Sequence, residues 1–549
     1  MLNKEIIDRL IPDNLPTIAE IEARYPNRNL PEWAMVTRIA PSPTWYVHIW
    51  AIFSAMLDER FAHDTSWVFY FRLEDTDSKR EVEWAADMFV KTFNNYWLIF
   101  DEGLNPDLTD IWNYWPYQQS KRGIIYKVFI KDFLLRDIAY PAFETPEELE
   151  EMRKIQEACK ARPGYYWEWA KSRYLSEEEV KDRLDKGLPY VIRFKSPGNI
   201  FKKVKFEDLM KGNMEVAEND IDIVIMKQGW LPTYHLAHVV DDHLMKTTHV
   251  IRWDEWLAST QLHLQLFEVI WWNAPFYAHY APIQKLDEWK KRKLSKRKDP
   301  EASVDFYEEA WYPKVAIIEY LLNLANSDFE DWRKANPNLS HKEFKISFEK
   351  LKSHSGWALF DFAKLDSVSK DTISRYTAEK IYDEVLVWAS SFDKELESML
   401  TSDKELSIKI FNIERTPEKS RKDLAKWSQV KEEIRYFFND KFDISLENRL
   451  ALTNISKEDV FLIVKQYLST FQLSDDRDTW FSKIKDLCPK LWFADNMKDY
   501  KANPGVFKWS LADVAGVLRV LLTWKTQTPD LYNIIWVLGE EEMRRRLNI

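Results

Sequence analysis

Hydrophobic and polar positions near the start of the chain predict a strand, a helix and a second strand in succession. Residues 34–40 and 67–74 are rich in β-branched and aromatic side chains, which is typical of strands. Between them, residues 47–62 place Ile52 and Met56 on one helical face. A strand, a helix and a strand in this order form a βαβ unit, which indicates a parallel sheet.

The α/β pattern resumes later in the chain, after an interruption that has helix and strand signals of its own. Residues 221–227 and 250–252 are predicted strands of this second block. Within the interruption, Thr145 lies three residues before Glu148, and this capping box predicts a helix start. Further signals there are a helix stop at Pro163-Gly164, a second capping box at Ser176 and Glu179, and a predicted strand at 190–195. The sequence therefore predicts an α+β insertion, residues 135–220, that splits an α/β domain.

From about residue 310 to the end, the pattern is helical. Ser510 and Asp513 have the spacing of a capping box, and apolar residues follow at helical spacing as far as Leu521. Pro529 ends this stretch. The predicted fold is a Rossmann-type α/β domain, split by an α+β insertion and followed by all-α domains.

The composition narrows the class of protein. Net charge is −11 and aromatic residues make up 15% of the chain, which excludes disorder and a general coating of nucleic acid but leaves room for a local basic site. Two cysteines, Cys159 and Cys488, are too few for a disulfide framework. The start of the chain lacks the apolar segment of a signal peptide, so we expect a cytoplasmic protein. The unusual feature is that 26 tryptophans outnumber 11 glycines.

The first candidate site is the stretch 41–50, which joins the first predicted strand to the first predicted helix. Ligands of parallel sheets bind at the carboxyl ends of strands, and helix N-termini favour phosphate. His48 lies there and could donate to a phosphate oxygen. The alternative is that His48 is only a polar helix cap.

The second candidate site is the segment 290–298, in which seven of nine residues are basic. Lys293, Ser295, Lys296 and Arg297 place positive charges around a small hydroxyl group, an arrangement suited to a triphosphate. The alternatives are a solvated basic loop and a patch that contacts the RNA backbone.

With these two segments, the chain resembles class I aminoacyl-tRNA synthetases, whose two signature sequences hold ATP. From about residue 34 onward, it is most similar to bacterial glutamyl-tRNA synthetase. The similar stretches are TRIAPSPT at 37–44, RLEDTD at 72–77, LPTYHLA at 231–237, VVDDHLM at 239–245 and VIR at 250–252.

The resemblance implies a role for each matching residue. Arg38 and Arg252 would hold the carboxylates of L-glutamate, and Ser42, Glu74, Tyr234 and His238 would complete that pocket. His238 stands where many relatives have Asn. Core packing for Tyr234 and a surface ion pair for Arg252 are the alternatives. The implied ATP-binding residues are His48, Glu255, Lys293, Ser295, Lys296 and Arg297, of which His48, Lys293 and Lys296 would be catalytic.

The implied reaction is ATP-dependent attachment of glutamate to tRNA(Glu) through a glutamyl-adenylate. ATP is the expected substrate, with Mg²⁺ and without zinc, because residues 142–145 lack the cysteines that hold zinc in some relatives. A monomer is expected, and whether tRNA(Gln) is also charged stays open. The implied domains are an N-terminal extension at 1–33, catalytic halves at 34–134 and 221–285, the acceptor-end insertion at 135–220, a signature-loop and stem-contact domain at 286–375, and anticodon-binding domains at 376–440 and 441–549.

The chain departs from the family in one systematic way: tryptophan stands at positions that are usually glycine. By the resemblance, these positions are Trp45, Trp50, Trp67, Trp97, Trp230, Trp253, Trp311, Trp357, Trp492 and Trp524. Trp45, Trp50 and Trp253 would crowd the adenine site, since glycine there permits close approach of the backbone. Two functions remain: the ligase, and a catalytically inactive tRNA-binding variant of the same fold.

Overall fold

A computed structural model describes most of the chain, as two compact units. The described residues are 2–11, 14–43, 47–76, 85–105, 109–111, 113–295, 298–351, 358–416, 420–442, 445–453, 455–502 and 505–548. The first unit comprises Met1–Phe306 and Ile318–Asp361, and the second comprises Tyr307–Ile317 and Phe362–Ile549.

The described residues form helices and strands with the following bounds. The strands are β1 Thr37–Ile39, β2 Phe69–Phe71, β3 Gly103–Leu104, β4 Asp110–Ile111, β5 Ala139–Ala142, β6 Val191–Phe194, β7 Lys203–Asp208, β8 Gly212–Ala217, β9 Val224–Met226, β10 His249–Trp253, β11 Phe276–Tyr280, β12 Gln284–Asp287, β13 Lys290–Lys293 and β14 Leu359–Phe360. The helices are α1 Lys4–Leu10, α2 Ile18–Ala23, α3 Ile49–Asp64, α4 Ala85–Asn95, α5 Gly123–Leu135, α6 Pro146–Ala158, α7 Glu177–Asp185, α8 Tyr234–Leu244, α9 Thr260–Val269, α10 Val304–Ala310, α11 Lys314–Ala325, α12 Asp328–Ala335, α13 Phe362–Ser374, α14 Ala378–Phe392, α15 Lys394–Ser402, α16 Lys404–Phe411, α17 Val430–Ile434, α18 Leu446–Ala451, α19 Lys457–Thr470, α20 Arg477–Lys490, α21 Met497–Ala502, α22 Leu511–Thr523 and α23 Leu531–Leu547.

The predicted βαβ unit is present. Strands β1 and β2 pair in parallel, with Thr37 opposite Phe69, and α3 connects them. Helix α3 is buried along nearly its whole length, including its polar Asp58 and Glu59. This burial explains why its amphipathic pattern is weak, because a helix buried all round does not need a polar face. The prediction for residues 34–74 is confirmed.

A second parallel pair, β10 and β11, lies beside this unit. Strand β10 begins at His249, and the backbone N–H groups of Thr248 and His249 donate to the carbonyl of Val36 at 3.1 and 3.2 Å. The β7–β8 hairpin extends this sheet, since β11 pairs with β7 in parallel. Residues 203–217 thus lie in the predicted insertion by sequence but pair with strands of the second α/β block.

The rest of the insertion has its own antiparallel sheet, in the order β5-β6-β9. Helix α6 begins at the predicted capping box, where the Thr145 hydroxyl accepts from the Glu148 N–H at 3.2 Å. Helix α7 begins in the same way at Ser176 and Glu179. The predicted strand at 221–227 is present as β9, but it pairs with β6 of the insertion. The sheets therefore do not divide at residue 220.

The N-terminal segment, whose function the sequence does not predict, is bound to the rest of the first unit by buried polar contacts. Arg28 donates two hydrogen bonds to the carboxylate of Glu102, at 2.6 and 2.7 Å, and a third to the Met245 carbonyl at 3.1 Å. The Tyr25 hydroxyl accepts from Arg122 at 3.1 Å. These contacts hold the segment against the α/β core.

Replacing Arg28 by alanine is expected to destabilise the first unit by about 3 kcal/mol. The Glu102 carboxylate keeps its hydrogen bond from Tyr117 but loses the positive charge of Arg28 while still largely buried. Urea unfolding followed by circular dichroism measures the change. The control is Arg9→Ala, which removes an exposed pair with Asp185 and should cost less than about 1 kcal/mol. Equal losses for the two variants would contradict a structural role for the Arg28 pair.

The second unit is helical, as the sequence predicts. Helix α23 contributes Ile534 to one hydrophobic core, which includes Trp388 and Trp427, and Ile535 to another, which includes Trp480. Helix α22 begins at the predicted box of Ser510 and Asp513. Within the described residues, no helix is both long and apolar enough to cross a bilayer. The predicted fold class is confirmed.

Candidate active site

The predicted site residues of the first unit gather where its parallel strands end. His48 follows β1, Glu74 follows β2, and Arg252 lies near the end of β10. Because the carboxyl ends of neighbouring parallel strands share one edge of a sheet, ligands of such sheets bind there. Two groups of side chains can be distinguished: a buried polar pocket and an aromatic cluster at the start of α3.

The pocket is built on a buried network of charges. Arg38 donates from Nε to Asp242 at 3.2 Å, and Arg72 donates from Nη1 to the same carboxylate at 2.7 Å. Burial would raise the pKa of Asp242, but Arg38 and Arg72 outweigh it and lower that pKa, so Asp242 is ionised. Nη1 of Arg38 has no hydrogen-bond partner in the described part of the chain. One edge of this guanidinium thus remains available to a ligand.

Glu74 has the opposite balance of burial and charge. Its carboxylate accepts from Nη2 of Arg72 at 3.1 Å and lies in a buried position. Burial raises the pKa of Glu74 above its ordinary value, although Arg72 and Arg38 act in the opposite direction. The carboxylate is therefore held in place but incompletely neutralised, which suits contact with an amino group.

Arg252 is buried, and each of its contacts is to a neutral group. It donates to His279 at 2.9 Å, to Thr260 at 2.9 Å and to the Trp256 carbonyl at 3.3 Å, and it contacts His263 at 3.2 Å. Among the described residues, no carboxylate lies within ion-pair distance of this guanidinium. A buried cation that lacks a direct counterion is a ready site for an anionic ligand.

Histidines fix the direction of Arg252. Since Nε2 of His279 accepts from Arg252, its Nδ1 carries the proton and donates to Asp208 at 2.6 Å. His263 links Arg252 to His235, with 3.0 Å between the two imidazoles. Burial, with a contribution from the charge of Arg252, lowers the pKa of His235 to about 4 and that of His263 well below its ordinary value. Near neutral pH these imidazoles add no charge, and Nδ1 of His263 accepts a hydrogen bond from the guanidinium.

Tyr234 forms the aromatic wall of the pocket. Its ring lies 4.4 Å from Trp256 and 5.6 Å from His238. No described group forms a hydrogen bond with the Tyr234 hydroxyl. His238 is fully buried behind it and contacts Asp242 at 3.1 Å and Tyr277 at 3.3 Å. Tyr234 is therefore available to a ligand, whereas His238 lies behind the pocket wall.

Ser42 is exposed and shares no hydrogen bond with the other predicted pocket residues in the described structure. The structure thus brings together Arg38, Glu74, Tyr234, His238 and Arg252, whereas no contact in the described residues joins Ser42 to them.

The aromatic cluster fills the space at the start of α3. His48 caps this helix: its Nδ1 accepts from the Trp50 N–H at 3.1 Å. The Trp50 indole is buried, and its ring centroid lies 4.3 Å from that of Trp253. Trp253 donates to Ser54 at 3.1 Å. The two indoles occupy the position beside His48 where the resemblance places adenine.

Lys293 closes this cluster from the β12–β13 hairpin. Its ammonium lies 4.6 Å from the Trp253 ring centroid and 5.4 Å from that of Trp50. The same ammonium donates to Glu255 at 2.5 Å. Lys293 and Glu255 thus pair with each other beside the rings of Trp50 and Trp253.

The basic loop is described only in part. The Ser295 N–H donates to Asp299 at 2.8 Å, and Arg292 binds the same carboxylate at 2.6 and 2.7 Å. The side-chain hydrogen bond from Arg292 lowers the pKa of Asp299. Lys296, Arg297 and Trp45 lie outside the described residues.

Several residues that build the pocket were not predicted from the sequence: Arg72, Thr260, His263 and His279, with Asp208 and Asp242 behind them. Arg72 and Asp242 lie within the stretches at 72–77 and 239–245 that resemble the family, so the sequence could have indicated them as charged residues of the pocket. His263 and His279 belong to a helix and a strand whose sequences show no motif.

The chain is similar to known proteins along nearly its whole length. Residues 34–367 match the family described as tRNA synthetases class I (E and Q), catalytic domain, and residues 411–549 match an anticodon binding domain. A Clostridium perfringens (strain 13 / Type A) protein named Glutamate--tRNA ligase is 47% identical over 525 residues, which are 95% of this chain and 96% of the relative. An Acetivibrio thermocellus protein of the same name is 41% identical over 545 residues, 99% of each chain.

The fold has a solved counterpart. The crystal structure of a glutamate tRNA ligase from Elizabethkingia meningosepticum CCUG26117, in complex with its amino acid, has a TM-score of 0.72 and 26% identity, and the match covers 94% of this chain and 98% of that one. The resemblance inferred from the sequence is confirmed by these matches. The chain belongs to the class I tRNA synthetases (E and Q), among the bacterial glutamate–tRNA ligases.

Proposed function

We propose that this protein attaches L-glutamate to tRNA(Glu) at the expense of ATP, through a glutamyl-adenylate. The observation that carries the proposal is Arg252, a buried guanidinium held by neutral partners at the carboxyl end of β10. A guanidinium in this state selects a carboxylate, because pairing with an anion offsets the cost of its burial. The reaction itself is inferred from the family to which the chain belongs.

In the amino-acid pocket, two guanidiniums would bind two carboxylates. Arg252 and the free edge of Arg38 would each take one carboxylate of glutamate, and Glu74 would face the α-amino group. The Tyr234 hydroxyl would donate to the ligand. His238 would hold Arg38 and Tyr234 in place from behind, and Ser42 would reach the ligand from the exposed side.

The nucleotide would bind at the start of α3. His48 would contact the phosphates, Glu255 the ribose, and Lys293, Ser295, Lys296 and Arg297 the triphosphate, with His48, Lys293 and Lys296 stabilising charge in the transition state. The α-carboxylate oxygen of glutamate attacks the α-phosphorus, and the bond to the bridging oxygen breaks and releases pyrophosphate. Mg²⁺ would arrive with ATP, bound through phosphate oxygens and water. For this, Lys293 must leave Glu255.

In the second step, a terminal adenosine hydroxyl of the tRNA attacks the carbonyl carbon of the glutamyl-adenylate, forming an ester, and the bond to the phosphate oxygen breaks and releases AMP. The insertion at 135–220 would hold the acceptor end, and the helical domains at 376–440 and 441–549 would read the anticodon. We propose that the enzyme acts as a monomer in the cytoplasm, without zinc.

A catalytically inactive tRNA-binding variant is the second candidate, and the paired indoles beside His48 are the observation in its favour. The relatives named above support the ligase and give no support to the inactive variant. The two candidates differ in a single property, the transfer of glutamate to bound tRNA.

The test is charging of a tRNA(Glu) transcript with labelled glutamate or glutamine, by the chain and by its Trp45→Gly/Trp50→Gly/Trp253→Gly variant. Binding of the same tRNA is measured in parallel by filter retention. We expect glutamate charging by the glycine variant and preference for glutamate over glutamine. Tight tRNA binding by the glycine variant without charging would refute the ligase and establish the inactive variant.

A further inference from the structure

Left-handed backbone conformation is concentrated at tryptophan in this chain. Among the described residues, fifteen non-glycine positions have positive φ, and eight of these are tryptophan: Trp97, Trp167, Trp230, Trp271, Trp289, Trp311, Trp492 and Trp524. Tryptophan is only 26 of 549 residues. A side chain with a Cβ is strained in this conformation, and glycine is the residue that adopts it freely. Because tryptophan is a small part of the chain and about half of these left-handed positions, this concentration calls for a single cause.

Three of these tryptophans close helices in a motif that is typical of glycine. After α9, the Trp271 N–H donates to the Glu268 carbonyl and the next N–H, that of Trp272, donates to the Phe267 carbonyl, both at 2.9 Å. This pair of bonds is the Schellman motif, whose left-handed residue is usually glycine. The same pair of bonds ends α4 at Trp97 and α20 at Trp492.

A fourth left-handed tryptophan, Trp289, lies in the turn of a tight hairpin. Asp287 pairs with Lys290 across β12 and β13, so the turn consists of Glu288 and Trp289 alone. Their φ values, 43° and 75°, are both positive. A two-residue turn of this kind strongly favours glycine at its second position.

Burial does not explain these indoles. Trp271, Trp289 and Trp492 are 80%, 94% and 83% exposed, so packing offsets little of the strain. At these positions the backbone has the left-handed conformation that is typical of glycine, but the residue is tryptophan.

We propose that the left-handed tryptophans stand at codons which the source organism reads as glycine, and that Trp50 and Trp253 belong to the same set. A codon that one translation system reads as tryptophan and another as glycine exchanges the two residues throughout a chain and leaves every other residue unchanged. This accounts for the scarcity of glycine and the excess of tryptophan together. At Trp50 and Trp253 the exchange closes the nucleotide subsite, because two indoles fill the space beside His48. Glycine at both positions opens that subsite for an adenine ring.

For the eight left-handed tryptophans this inference rests on backbone geometry, and it stands apart from the proposed function. Trp50 and Trp253 have ordinary backbone conformations, and they are included because the resemblance places glycine there. The direct test of the inference is peptide sequencing by mass spectrometry of the protein purified from its natural source. We expect glycine at each of the eight left-handed tryptophan positions and at positions 50 and 253, and tryptophan at none of them. Tryptophan at any of the eight left-handed positions would overturn the proposal, and tryptophan at 50 or 253 would overturn its extension to the nucleotide subsite.

A second test uses the recombinant chain. Trp289→Gly and Trp492→Gly should each raise the midpoint of the corresponding thermal unfolding transition by about 2 °C, because strain is relieved and little packing is lost. The matched control is Trp480→Gly, at a buried indole within α20 that donates to Tyr467 at 3.1 Å. It should lower the midpoint by about 10 °C. Lower midpoints for Trp289→Gly and Trp492→Gly would contradict the proposal.

Discussion

Replacing Trp50 and Trp253 together by glycine is expected to tighten ATP binding by at least about 100-fold. For ATP to bind beside His48, the two packed indoles must leave. Re-exposing about 200 Å² of a buried indole costs on the order of 5 kcal/mol. Even half of that cost corresponds to about a 100-fold change in affinity. The measurement is the dissociation constant of a non-hydrolysable ATP analogue, by isothermal titration calorimetry.

The control for this prediction is Trp492→Gly, the same exchange at an exposed position of the second unit. It should leave the dissociation constant unchanged. Each variant is also checked by circular dichroism, so that a loss of fold is not mistaken for a loss of binding. An unchanged dissociation constant in a folded Trp50→Gly/Trp253→Gly protein would show that the indoles are not the obstacle.

In that open background, Arg252→Gln is expected to lower kcat/KM for glutamate by about 100-fold or more. A hydrogen-bonded ion pair with a buried guanidinium contributes about 3 kcal/mol, which corresponds to that factor. The substitution removes the cation but keeps a polar side chain among the imidazoles of His263 and His279. Steady-state aminoacylation at varied glutamate concentration measures the effect.

Arg252→Lys serves as the comparison, because lysine keeps the charge but cannot reproduce the fork of donors. We expect the kcat/KM of Arg252→Lys for glutamate to lie between that of the parent and that of Arg252→Gln. If Arg252→Gln kept the parent's kcat/KM for glutamate, the substrate carboxylate would have to be bound elsewhere in the pocket.

Where the signal is local, the sequence predicts the structure well. The βαβ unit at 34–74 and the capping boxes at Thr145 and Ser176 depend on residues close together in the chain, and all of them are present. The sequence does not predict which strands pair when they are far apart in the chain. That β7 would pair with β11 depends on segments about 70 residues apart, and no periodicity in either strand encodes the choice of partner.

The candidate site shows the same division. Motifs supplied Arg38, Glu74, Tyr234 and Arg252, while the imidazoles of His263 and His279 that orient Arg252 come from elements without a motif. The left-handed backbone conformation could not be predicted from the sequence either. A hydrophobic pattern indicates which face of a helix or strand is buried, but it does not indicate the φ angle of a residue. The resemblance marked Trp97, Trp230, Trp311, Trp492 and Trp524, all of which have positive φ, but Trp167, Trp271 and Trp289 emerged only from the structure.

Whether the indoles block glutamate activation is measured directly by tRNA(Glu)-dependent ATP–pyrophosphate exchange with glutamate. The measurement compares the chain with its Trp45→Gly/Trp50→Gly/Trp253→Gly variant under identical conditions. Exchange should be high in the glycine variant, should require tRNA and glutamate, and should be at least about 100-fold lower in the tryptophan chain. Equal exchange by the two proteins would contradict the claim that the indoles block the nucleotide subsite. No exchange by a folded glycine variant would contradict the proposed ligase activity.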